Sequence, residues 1–106
     1  MPKGVMYVET MPVSPDREAE YRKWYSDTHL AEVCSVVGIV SSRHFAPIDG
    51  SGPFIAIYEL DCDDLDSVVQ RLREFGASGK MSSMELLSME TPPIPKVYRQ
   101  IGSYPK

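Results

Sequence analysis

The densest chemistry-bearing stretch of the chain is Trp24-Tyr25-Ser26-Asp27-Thr28-His29-Leu30, which sets an indole, a phenol and an imidazole within two turns of a predicted helix. Tyr25 and His29 are four residues apart and so are neighbours on a helix surface. An imidazole both accepts and donates a proton near neutrality, because its unperturbed pKa is about 6.5. With a phenol beside it, a substrate hydroxyl or carbonyl can be held while a proton moves. The plainer alternative is aromatic core filler with His29 at the surface or at a cap, since aromatic stripes at helical spacing usually mean burial.

Arg43 and His44 occupy adjacent positions of a predicted strand and therefore point to opposite faces of a sheet. Only one of them can share a cavity with the helix. If Ile39 and Phe45 pack under the helices, Arg43 goes with them; if Val40 and Ala46 do, His44 takes that side. Tyr58 falls on the same side of its strand as Phe54 and Leu60, so its hydroxyl bonds either a ligand or a buried protein group. Glu9 shares a face with Tyr7 and Met11; turned inward it is a candidate base, turned outward a solvated carboxylate. His29 and His44 lie in separate elements without HxH or HxxxH spacing, so no metal site and no cofactor is assigned. No Gly-rich loop joins a strand to a helix and no GxSxG occurs, which removes nucleotide-cradling and α/β-hydrolase chemistry.

The elements that must position these residues are legible from periodicity. Residues 5–11 are β-branched and aromatic and stop at Pro12, which predicts a first strand. Ser14-Pro15-Asp16 supplies a hydroxyl cap, a proline at the first helical position and an early acid, so a helix starts there and runs toward Gly38. On a 3.6-residue period Tyr21, Trp24, Tyr25, Thr28 and Ala31 form its apolar stripe. Residues 39–46 alternate as a second strand; a turn-rich stretch from Pro47 to Pro53 leads into a third, 54–60, and the two form a hairpin. Asp61 to Asp64 cap a second helix with Leu65, Val68, Val69, Leu72 and Phe75 at helical spacing, stopped by Gly76 and Gly79. Residues 80–95 form a connection with room for a short helical turn, and 96–101 a last strand.

This order is that of an α+β, ferredoxin-like βαββαβ protomer: a four-stranded antiparallel sheet with two helices on one face. The other face needs cover, and a second copy related by a two-fold axis is the commonest way to supply it. At 106 residues the chain is expected to be a single domain, 1–106, with an ordinary apolar share of 42% and charged share of 25%. Fifteen acidic against eleven basic residues give a net charge of −4, which opposes phosphate backbones and anionic lipid, so neither nucleic acid nor membrane is an expected partner. Cys34 and Cys62 are isolated thiols suited to a reducing, cytoplasmic setting. The N-terminus shows no export signal, and no apolar run approaches a membrane span.

The segment Trp24-Tyr25 to His29-Leu30-Ala31-Glu32-Val33, followed by Gly38 and Ser42-Arg43-His44-Phe45, resembles the WY-x-x-x-H-L-x-E-V … G … R-[RY]-F pattern of EthD-like dimeric α+β barrel proteins. It departs from that pattern at Val37, where a proline often precedes the glycine. The resemblance spans residues 5–101 in element order, but about twenty-five residues carry it. It implies protomers whose sheets join back to back, with a pocket between each sheet and its helices. Chemistry in that superfamily includes cofactor-free oxygenation of polyketide quinols, polyketide cyclisation, isomerisation, haem degradation and steps of aromatic degradation. The resemblance marks His29 as the pocket acid/base, Trp24 and Tyr25 as pocket lining, and Arg43 as the adjacent strand position.

The sequence therefore points to a small cofactor-independent enzyme, of cyclase, isomerase or monooxygenase type, acting on a hydrophobic, aromatic or polyketide-like molecule. His29 moves the proton and Tyr25 orients the substrate, while Tyr21, Trp24, Thr28, Arg43, His44 and Tyr58 are the candidate substrate-binding residues. The rival expectation is a non-catalytic homodimer that holds a hydrophobic metabolite for a partner enzyme; the aromatic stripe serves either.

Overall fold

Alternating burial builds the sheet. In the computed structural model, which describes residues 3–105, β1 (Lys3–Thr10) buries Met6, Val8 and Thr10 on one face and turns Tyr7 and Glu9 to the other. The same period governs β3 (Phe54–Asp61), where Phe54, Ala56, Tyr58 and Leu60 are buried. With β2 (Ile39–Phe45) and β4 (Lys96–Arg99) these strands form one antiparallel sheet in the order β2-β3-β1-β4. Element order and strand order are compatible with a ferredoxin-like fold.

The helices pack on the Met6, Val8 and Tyr58 side. The first begins with a 3-10 turn (Pro15–Arg17), continues as α1 (Glu18–Trp24), passes through a π-helical turn (Tyr25–His29) and ends as α2 (Leu30–Cys34). The second is α3 (Val68–Ala77), entered through a 3-10 turn (Leu65–Ser67). Among the described residues no helix is long and apolar enough to cross a membrane. Leu65, Val68, Val69, Leu72 and Phe75 face the core, as their spacing predicts.

Several boundaries differ from expectation for local reasons. Ser14 precedes the first helix, yet its hydroxyl caps nothing; the chain turns instead through the Arg17 N–H, which donates to the Ser14 carbonyl at 3.1 Å. Likewise no acidic side chain between Asp61 and Asp64 caps the second helix, and Ser67 Oγ donates to the Asp64 carbonyl. Gly76 sits inside α3, and Gly79, at φ +79°, marks the stop. Gly38 turns the chain into β2 at φ +100°, a left-handed conformation that side chains rarely adopt. The last strand ends at Arg99 rather than 101, its final tie being the Gln100 N–H to the Lys3 carbonyl at 2.8 Å.

The connection 80–95 is more than a tether. It buries Leu86 and Leu87, and its backbone bonds the segment after β1 through Val13 N–H to the Leu86 carbonyl at 2.8 Å and Ser88 N–H to the Met11 carbonyl at 2.9 Å. A turn closes from Leu87 N–H to the Met84 carbonyl, a second follows at Met89-Glu90, and no helix forms there.

A bulge in β2 settles the orientation of Arg43 and His44. The register pairs Ile39 with Leu60 and then shifts, so that Ser42 pairs with Tyr58 and His44 with Ala56. The extra residue breaks strict alternation. Ile39 packs under the helices, and so do Ser42 and His44, while Arg43 and Phe45 turn to the open face. Neither of the two strictly alternating patterns describes the strand.

Candidate functional site

Three layers enclose an apolar cavity of about 350 Å³ on the helix side of the sheet. Met6 and Val8 of β1 and Tyr58 of β3 form its floor; Tyr25, His29 and Val33 form one wall; Leu72, Arg73 and Gly76 of α3 form the other. The 80–95 connection supplies Met81, Met84 and the Pro93-Ile94-Pro95 corner. Its size is at the lower end of small-molecule sites, and its few polar groups, the His29 imidazole, two phenols and Arg73, converge on one apolar space.

The π-helical turn places that wall. On a strict α period each four-residue step drifts about 40° around the axis, so Tyr21, Tyr25, His29 and Val33 would spiral off one face. The wider turn over Tyr25–His29 absorbs the drift, and all four side chains are buried. Ala31, expected on the stripe, is exposed instead, and Thr28 is half-buried and stands off the cavity wall.

His29 is 5% exposed. Trp24 stacks on it with centroids 4.6 Å apart at 19°, and Tyr25 meets it edge-on at 4.8 Å. Its Nδ1 lies 3.5 Å from Glu32 Oε1 and makes no hydrogen bond, so the contact with the carboxylate is electrostatic. With Nδ1 turned to Glu32, Nε2 is the ring nitrogen left for the cavity. Burial lowers the His29 pKa, and Glu32 opposes that lowering without cancelling it. His29 is therefore neutral at neutral pH, in the form that accepts a proton.

The two phenols of the cavity are both buried and stand 3.4 Å apart, Tyr25 Oη to Tyr58 Oη. Desolvation raises the pKa of each, so they are neutral hydroxyls that donate or accept hydrogen bonds and not phenolate bases.

A second cluster lies on the far side of Tyr25. His44 stacks on the Tyr25 ring at 3.8 Å and 9°, and His44 Nε2 is 3.0 Å from Tyr21 Oη, which in turn bonds Thr10 Oγ1 at 2.5 Å. Phe54 packs edge-on to Tyr21, and the Arg22 guanidinium lies over Phe54. Burial, then the Arg22 charge and His29, lower the His44 pKa to about 4. Tyr21 and His44 thus support Tyr25 from behind and do not line the cavity.

The structure brings Tyr25, His29 and Tyr58 to one cavity and sets Trp24 against His29. It separates Arg43, which lies on the open sheet face with Glu59 Oε1 at 3.4 Å and with its guanidinium over the Phe45 ring. That pair is largely exposed and holds little energy. Glu9 is on the same open face, accepting a hydrogen bond from Tyr7 Oη at 2.8 Å, and is no inward base. Among the described residues no three His, Cys, Asp or Glu side chains gather as a metal-ligand set. Residue types and motifs single out neither Glu32 nor Ser82 as a site residue. Glu32 was detectable, because it is three residues from His29 on a helix; Ser82 was not, because only folding brings it there across fifty positions.

The fold and site together define an α+β protein with a histidine-walled apolar cavity under its helices. No family model, no curated protein and no solved structure matches the chain.

Proposed function

We propose that the cavity binds a small hydrophobic molecule, aromatic or polyketide-like, and that His29 moves a proton on it as a cofactor-independent enzyme of cyclase, isomerase or monooxygenase type. The observation that carries this reading is one buried, neutral imidazole on the wall of an apolar cavity with a carboxylate behind it. Nε2 takes the proton; the imidazolium that results is stabilised by Glu32; Tyr25, paired with Tyr58, donates its hydroxyl proton in a hydrogen bond to a substrate oxygen. One positioned acid/base contributes about 100- to 10,000-fold in rate, so orientation in the cavity supplies part of the rest. The resemblance of the Trp24–Val33 segment to EthD-like dimeric α+β barrel proteins supports the same assignment, and with it a pairing of two copies through their open sheet faces.

The test is an NMR titration of the His29 imidazole with and without 1-naphthol and anthrone. The expected result is a midpoint below that of a free histidine, which moves again when either probe binds, and loss of that second shift in Tyr25→Phe. An imidazole that titrates as a free histidine and ignores both probes would overturn the reading. A non-catalytic carrier of a hydrophobic metabolite is the second reading, favoured by how apolar the lining is; full binding of anthrone with no proton exchange at its acidic C–H in wild type or His29→Gln would select it.

A further inference from the structure

Glu32 faces two ways. Its Oε1 stands 3.5 Å from His29 Nδ1 and also accepts the Ser82 hydroxyl at 2.8 Å, while its Oε2 accepts the Ser82 backbone N–H at 2.7 Å. Ser82 Oγ in turn accepts the Trp24 indole N–H at 3.0 Å, and Trp24 stacks on His29. Two of the groups that touch the His29 ring, a carboxylate at its edge and an indole on its face, are therefore both held by one serine. That serine belongs to no helix or strand. It lies between Met81 and Met84, which line the cavity, a few residues beyond Gly79 with its positive φ.

We propose that Glu32 is a positioning residue that couples the 81–84 segment to His29: Ser82 is the latch, and closing this segment over a bound molecule sets the carboxylate and the indole that orient the imidazole. The proposal rests on the reading of His29 as the proton-transferring group and adds how that group is made ready. The physical basis is that one oxygen, Oε1, is shared. While the segment is docked, Oε1 is partly committed to the Ser82 hydroxyl, and the neutral imidazole keeps its free Nε2 toward the cavity. When the segment lifts, Oε1 turns fully to Nδ1 and favours the imidazolium, which is no longer a base. The other charged or titratable groups near the His29 ring are Tyr25 beside it, Tyr58 from β3, Arg73 on the α3 wall and His44 behind Tyr25. None of these reaches Ser82 in the hydrogen-bond network, so a change at Ser82 has Glu32 and Trp24 as its only routes to the imidazole among the described residues.

The experiment is a set of NMR titrations of His29 without ligand, in wild type, Ser82→Ala, Glu32→Gln and the double variant, with amide spectra to confirm the fold. Ser82→Ala is expected to raise the His29 midpoint by about 0.5–1 pH unit, because the released oxygen favours the imidazolium, and Glu32→Gln to lower it by a similar amount. In the Glu32→Gln background, Ser82→Ala is expected to have almost no further effect; with Glu32 intact, Ser82→Thr, which keeps the hydroxyl, is expected to hold the wild-type midpoint. Equal Ser82→Ala shifts in both backgrounds, or none in either, overturn the coupling. If Glu32→Gln does not fold, Ser82→Ala and Ser82→Thr alone decide it, since an unchanged midpoint in Ser82→Ala is sufficient to reject it. No substrate enters the measurement, so a failed coupling is distinguishable from a failed assignment of the cavity.

Discussion

His29 is buried and His44 half-buried, both as neutral imidazoles, and this makes the folded state sensitive to acid. The His44 pKa falls to about 4 in the folded chain, against about 6.5 when unfolded. Between those values the unfolded chain binds a proton that the folded chain does not, so stability is complete above about pH 6.5 and declines as the pH falls toward 4. The shift corresponds to about 3 kcal/mol unscreened, and about half of that once the partial solvent exposure of His44 is allowed for. His29, lowered in the same direction, adds to the loss. Urea unfolding at pH 7.5 and pH 4.5 is expected to show this decline, and His44→Phe, which keeps the stack on Tyr25, is expected to flatten part of it. Equal pH slopes in wild type and variant would place the titrating group elsewhere.

Two packing details that no residue type announces decide the arrangement of strands and helices. Gly4 is one: a Cβ built there would lie 2.2 Å from the Tyr98 carbonyl oxygen, in the backbone of β4. Gly4→Ala must therefore push β4 away from β1, and a loss of about 2 kcal/mol in thermal or chemical unfolding is expected. Stability unchanged by Gly4→Ala would show that β4 relaxes at no cost. The π-helical turn is the other. Periodicity places the first helix and its aromatic face through Tyr25, but a fixed 3.6-residue step cannot anticipate a wider turn, so it puts Ala31 inside and passes over Val33. The β2 bulge acts similarly on a period of two, where one extra residue reverses every side chain that follows.

Across the whole molecule, one face of the sheet is covered by helices and the other is open. Val5, Tyr7, Phe45, Ile55 and Ile57 form a mostly apolar band there, with Tyr98 at the β4 edge, and it also carries Glu9 and Glu59 alongside Arg43 and Lys96. Charges of both signs on one apolar face let it meet a second copy of itself across a two-fold axis. The proposed homodimer is expected in sedimentation velocity, and Ile57→Glu, at the centre of the band, is expected to yield a folded monomer at the same concentration. A monomeric wild type at micromolar concentration would overturn the dimer, and a dimer indifferent to Ile57→Glu would assign the contact elsewhere.

Alternation along β1 and β3, the Pro15 start of the first helix and the apolar spacing of the second follow from short-range sterics and the separation of apolar from polar residues, so the sequence alone determined the α+β class, the element order and the pairing of Tyr25 with His29. Which residues meet across long separations was decided only by tertiary structure. The bulge that chose His44 over Arg43, the wide turn that buried His29, and the fold of the 80–95 connection that brought Ser82 to Glu32 depend on the simultaneous packing of several elements. No local pattern encodes them, because each minimises strain and unpaired polar groups over the whole core and not within one segment.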